Sequence, residues 1–269
     1  MNGLLRYSHR AMATLFEAVF PEGEQGAQSV AETLFEEIDR IENLLSRFDP
    51  TSEVSRINRE ASKEAVRIDS ELFDLLEVCR DYWEKSDGAF DPAGCLPGSP
   101  TRFGQIELNE RERTIRFDHP ELILDFGAVG KGYALLRCQK TFREMGIGNA
   151  LIHGGTSSVL AIGPGPSGQG WPVGLRHSED ETKINLLDQS LSTSAVHSPD
   201  KERSDILDPR RRENLTEHLA CTVIGENSLT VEILSTAFLV MGREMAEKYV
   251  KENGSEGVCE IWGKVSGAN

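Results

Sequence analysis

Apolar residues recur every third or fourth position through residues 30 to 45: Val30, Leu34, Phe35, Ile38, Ile41, Leu44 and Leu45. That period puts them on one face of a helix, which ends near Ser46, before Asp49-Pro50. A second helix is predicted over 70 to 85, with Ser70 as N-cap and Gly88 as stop. A third covers 132 to 145 and closes at Gly146, and a last one covers 229 to 251. Elsewhere the period drops to two. Phe16, Val19 and Phe20 mark a strand over 11 to 20. Ile106 and Leu108, then Ile115 and Phe117, mark a hairpin, followed by a strand that runs on toward residue 126. "NALIHGG" and "SSVLAIG" read as short strands around a glycine pair, more short strands fill 171 to 223, and "GVCEIW" is the last.

Helices and strands mix without a βαβ rhythm. The fold class is therefore α+β rather than a doubly wound parallel sheet. No internal repeat, low-complexity tract or long linker interrupts the 269 residues, which predicts a single domain over 1 to 269.

Composition narrows the function. Hydrophobic residues make up 38% and charged residues 27%, as in a soluble globular protein. The net charge is −15, and the only dense basic cluster is Arg210-Arg211-Arg212, so nucleic acid is not an expected partner. Five scattered cysteines without a CxxC pair point to a reducing compartment. The N-terminal residues lack the apolar core of a signal peptide and no run is long enough to span a membrane, so the cytoplasm is the expected location.

Several familiar motifs fail on context. "GPGPSG" at 163 to 168 has the spacing of a dinucleotide fingerprint, but two prolines interrupt it and a strand-like segment follows instead of a helix. It is predicted to be a loop. The six histidines are dispersed, so no histidine-built metal centre is signalled.

The stretch "LDFGAVGKGYALLR", residues 124 to 137, carries more. An apolar run stops at Asp125, three glycines follow, and Lys131 stands between the last two. Glycines let the backbone approach a ligand closely, and a lysine beside them suits a phosphate. A tight strand-to-helix turn with a solvated lysine is the alternative. In "VEILSTAFLVMG", Glu232 and Thr236 lie four apart on one helical face. With a carbonyl from elsewhere they would offer oxygen ligands to a hard cation such as Mg²⁺. A plain core helix is the alternative there.

These stretches, with "AMAT", "LSRFDPTSEVSRIN", "GAFDPAG", "LIHGGT", "LSTSAV" and "DILDPR", stand in an order that resembles the ApbE family of FAD:protein FMN transferases, from residue 11 to residue 242. The resemblance implies a two-lobed α+β fold of mixed or antiparallel sheets flanked by helices, its lobes interleaved and a cofactor cleft between them. It implies FAD as substrate, Mg²⁺, and a target protein that receives FMN on a Thr or Ser as AMP leaves. By the family's pattern, Met12, Phe48, Ala89, Phe90, Asp91, Asp125 and Lys131 bind the cofactor. Ala128, through its carbonyl, joins Glu232 and Thr236 around the metal. The acceptor segment carries an Asp ahead of the hydroxyl residue, with small neighbours.

The chain departs from that pattern in places. Glu232 replaces the metal-binding Asp. Asp205 replaces the His assigned as base, with His197 nearby in sequence. Ala195 replaces the glycine of the "TSG" turn, Leu136 replaces an Asp, and Thr156 follows the glycine pair where the family has Asp. Two alternatives therefore stay open: a FAD-binding protein without transferase activity, or a Mg²⁺-dependent FAD pyrophosphatase.

Overall fold

The first apolar alternation folds as a hairpin, not as one strand. In the computed structural model, β1 (Leu4–Ala11) and β2 (Thr14–Pro21) pair antiparallel. Between them Met12 and Ala13 hold positive φ, 49° and 55°. The strand expected over 11 to 20 thus begins on the last residue of β1 and runs across the turn into β2. β1 escapes the pattern because it lies at a sheet edge, where its residues remain partly exposed. The structure describes residues 3–94, 100–175, 182–196, 206–217, 219–253 and 259–264.

α1 (Ala27–Leu45) buries Val30, Leu34, Ile38, Ile41 and Leu45, as its period requires. α2 (Glu53–Glu60) starts at Ser52, whose hydroxyl accepts the Ser55 N–H at 3.0 Å. A short strand, β3 (Val66–Arg67), leads to α3 (Ser70–Lys85). The cap of α3 is Asp69, not Ser70: its carboxylate accepts the Glu71 N–H at 2.7 Å. β4 (Ile106–Asn109) and β5 (Thr114–Phe117) form the predicted hairpin, and β3 joins them as a third strand.

The further strand expected toward residue 126 does not form. Leu122 and Leu124 are buried, but residues 120 to 126 pair with no strand. The Asn58 side chain and the Pro92 carbonyl satisfy this backbone instead.

Beyond it come α4 (Gly130–Glu144), β6 (Ala150–Gly154), β7 (Ser158–Ile162), β8 (Trp171–Leu175), β9 (Thr182–Leu186) and β10 (Gln189–Ala195). "GPGPSG" is the loop between β7 and β8, as expected. β11 (Leu207–Asp208) and β12 (Glu213–Asn214) flank the basic triplet, which forms their turn. Arg210 folds back onto Asp208 at 3.0 Å, so its charge is spent inside that turn. β13 (Leu219–Gly225) precedes α5 (Ser228–Met241) and α6 (Arg243–Asn253). The single helix expected over 229 to 251 is split at Gly242, where φ is 79° and ψ 163°. β14 (Cys259–Lys264) is the last strand.

Seven strands make one antiparallel sheet in the order β1-β2-β6-β7-β10-β13-β14. Phe16, Phe20, Ile152 and Leu160 face the main core with α1 and α4. On the opposite face, Trp171, Leu175 and Leu186 of the β8–β9 hairpin cover Val19, Leu151, Val159 and Leu191. α5 is apolar nearly all round and packs between α4 and strands β10 and β13. The arrangement is α+β, as the mixed pattern predicts. No helix among the described residues is long and apolar enough to cross a membrane.

Candidate active site

α4 and α5 touch backbone to side chain at one point. A Cβ built on Gly132 would lie 2.4 Å from Glu232 Cβ and 2.7 Å from the Ser228 carbonyl oxygen. Only glycine permits that approach. It sets Lys131, in the first turn of α4, beside Glu232 in the middle of α5. Lys131 Nζ meets Glu232 Oε1 at 2.7 Å, and the Glu232 side chain is only 5% exposed.

Strand β10 supplies the other side. Ser190, Ser192 and Ser194 alternate along one strand face, and each meets a polar residue of α5. Ser190 bonds Ser228 at 2.7 Å, Ser192 donates to Glu232 Oε2 at 2.8 Å, and Ser194 bonds Thr236 at 2.9 Å. The match is geometric. Two residues of a strand and four of a helix advance by similar lengths, about 6 to 7 Å. Ser158 of β7 also donates to Glu232 Oε2, at 2.7 Å.

In front of this seam lies a cavity of about 490 Å³. Ala89, Phe90, Asp91, Asp125, Ala128, Lys131, Glu232 and Thr236 all line it. Met12 and Phe48 line an adjoining hollow of about 200 Å³, which shares Asp125, Gly127 and Lys131 with the first. The structure therefore gathers every described site residue named from the sequence into two connected hollows. Asp205 and His197 lie outside the described residues.

The residues differ in how free they are. Asp91 is 5% exposed, and its carboxylate accepts from the N–H groups of Ala93, Gly94 and Phe103 and from the Trp83 indole at 3.0 Å. Burial pushes its pKa up, and those donors oppose the shift. Its side chain organises the turn over 88 to 94, where Ala89 and Phe90 are as buried, at 1% and 2%. Asp125 accepts the Gly127 N–H at 2.8 Å on Oδ1 and pairs with Arg47 at 2.5 Å on Oδ2. Arg47 also lies 4.0 Å from the centroid of the Phe48 ring, which is 77% exposed.

Sequence reasoning missed Arg47, Ser158, Ser192 and Ser194. Arg47 lies inside "LSRFDP", where nothing local marks it, because its partner Asp125 is 78 residues away. The serines did leave a signal: their alternation in "QSLSTSA" matches the four-residue spacing of Ser228, Glu232 and Thr236. Ala195 stands opposite Ala220 in the β10–β13 ladder and its φ is not positive, so the loss of a glycine there costs no backbone strain. Leu136 is half-buried and packs on the main core.

Glu232 brings one carboxylate to this cavity, and Thr236 and Ala128 line it too, so the oxygens a hard cation needs are present in kind. Among the described residues no group of three or more His, Cys, Asp or Glu is placed to hold a metal ion.

Known proteins match over this whole arrangement. The ApbE family profile covers residues 12–95 and 98–259. A FAD:protein FMN transferase of Chlamydia trachomatis is 27% identical over 260 residues, covering 82% of this chain and 78% of that protein. One of Escherichia coli K12 is 22% identical over 284 residues, covering 91% and 80%. The apo form of the flavinyl transferase ApbE of Pseudomonas stutzeri superposes with a TM-score of 0.82 at 19% identity, over 97% of this chain and 92% of the other. The ApbE protein of Thermotoga maritima gives 0.82 at 22% identity, over 99% and 96%. The chain belongs to the ApbE family.

Proposed function

We propose that this protein is a FAD:protein FMN transferase that works with Mg²⁺. One observation carries the proposal: the residues at the family's ligand positions converge on two connected hollows that share Asp125 and Lys131. The relatives named above bear that activity in their names.

In this reading Met12 and Phe48 contact the flavin, Ala89 and Phe90 lie along the rest of FAD, and Lys131 serves the diphosphate. The target protein's Thr or Ser oxygen bonds to the FMN phosphorus. The bond from that phosphorus to the bridging oxygen breaks, and AMP leaves with the oxygen. The hydroxyl proton passes to a base, the role the family pattern assigns to Asp205. Mg²⁺ would be held by Glu232, Thr236 and the Ala128 carbonyl, and would neutralise charge on the phosphate oxygens. The chain's own contribution is position: α4 and α5 are locked at Gly132, and β10 fixes the oxygens of α5.

The test is incubation with FAD, Mg²⁺ and a peptide with an Asp ahead of a Thr flanked by small residues. The expected result is a flavin-labelled peptide and an equal amount of AMP. Free FMN and AMP without labelling would replace transfer by FAD hydrolysis. FAD binding with neither product would leave a flavin-binding protein.

A further inference from the structure

Glu232 is held differently at its two carboxylate oxygens. Oε2 accepts from Ser158 at 2.7 Å and Ser192 at 2.8 Å, two hydroxyls anchored on neighbouring strands and almost fully buried. That end is fixed. Among the described residues, Oε1 meets only the Lys131 ammonium, at 2.7 Å, carried on a flexible stem whose side chain is 23% exposed. A buried carboxylate without a positive partner is costly, so Lys131 acts as the counter-ion of Glu232. A divalent cation on Oε1 would lie against that ammonium, and two positive charges at such a separation repel strongly where water is scarce. The two therefore compete for Oε1. Lys131 has somewhere else to go, because it also lines the hollow beside Asp125 and Phe48.

We propose that Lys131 and a divalent cation exchange on Glu232: the cation takes Oε1, and the ammonium swings into the hollow shared with Asp125, where it meets the diphosphate. Ser158 and Ser192 are positioning residues that keep Oε1 aimed at the cavity during the exchange. The inference rests on the reading of this cavity as the cation and diphosphate site. It makes FAD and the cation cooperative, because the lysine serves FAD only after the cation releases it.

Mn²⁺ binding to the full chain, read by electron paramagnetic resonance, and FAD binding, read by flavin fluorescence, test it. Lys131→Met removes the competitor, so Mn²⁺ is expected to bind at least about fivefold tighter than to the parent protein. The same variant is expected to lose about fivefold or more in FAD affinity with Mn²⁺ present, and less than about twofold without it. Lys131→Gln, which still donates a hydrogen bond to Oε1, carries the test if the Met variant fails to fold. Unchanged Mn²⁺ affinity in a folded neutral variant, or an equal loss of FAD affinity with and without Mn²⁺, overturns the exchange alone. No Mn²⁺ binding by the parent, with transfer intact in a chelator, overturns the cation reading and the exchange together.

Discussion

Asn58 grips Leu124 by both backbone groups. Its Nδ2 donates to the Leu124 carbonyl at 3.0 Å, and its Oδ1 accepts the Leu124 N–H at 2.8 Å. One amide side chain from α2 thus does for residue 124 what a neighbouring strand would do. It also places the next residue, Asp125, at the mouth of the site. Replacing Asn58 with Leu strands two half-buried backbone groups, a cost of about 2 kcal/mol or more. Urea unfolding is expected to show that loss, and flavin titration a weaker FAD affinity, because Asp125 is held less firmly when its neighbour is released. Normal stability with Leu at 58 would mean the clasp is incidental.

Arg47 is predicted to matter for FAD although nothing in its immediate sequence marks it. It neutralises Asp125 and lies on the Phe48 ring. Without it, Asp125 presents an uncompensated negative charge to the diphosphate. Arg47→Ala is expected to weaken FAD binding about tenfold, the loss of one charge-assisted contact. Arg47→Lys should recover only part of this, since an ammonium lacks the planar stacking surface. Equal affinity in all three proteins would remove Arg47 from the site.

Gly132 is where the two site helices meet, and a methyl there has no room. Gly132→Ala is expected to cost about 2 to 3 kcal/mol through overpacking, and to part Lys131 from Glu232. Gly148→Ala is the control, since its Cβ would meet nothing within 4 Å. A thermal melt in which both variants match the parent would contradict this helix crossing.

Stability is expected to fall in acid through a cluster away from the site. Glu37 bonds Arg40 and Arg137, and Arg40 also bonds Glu71, tying α1 to α3 and α4. Chiefly the Arg40 hydrogen bond, with help from Arg137, lowers the Glu37 pKa from 4.5 to about 2. A depressed acid pKa means the folded state holds the proton less tightly than the unfolded one. The contribution is therefore complete above pH 4.5 and lost as pH falls toward about 2. Glu37→Gln should be less stable than the parent at neutral pH and should lose less on acidification. Parallel urea midpoints for the two proteins across that window would show that Glu37 is not the group responsible.

Periodicity alone determined the first helix, and a cap and a stop marked α3. Val30 to Leu45 are written in local spacing, because a 3.6-residue repeat has one buried solution. The ordered motifs likewise determined the family and named several residues of the cavity lining, because each motif is a short stretch legible without its partners. Local spacing was silent wherever the partner lies far away in the chain. The segment around Leu124 is apolar enough for a strand, yet Asn58, 66 residues earlier, takes its hydrogen bonds. Arg47 becomes a site residue only because α1 ends beside the Asp125 turn. The acidic charge of Glu232 was legible from the start. Its pairing with Lys131 and its two serine donors required α4, α5, β7 and β10 to converge, and only the packing of helices on a sheet decides that.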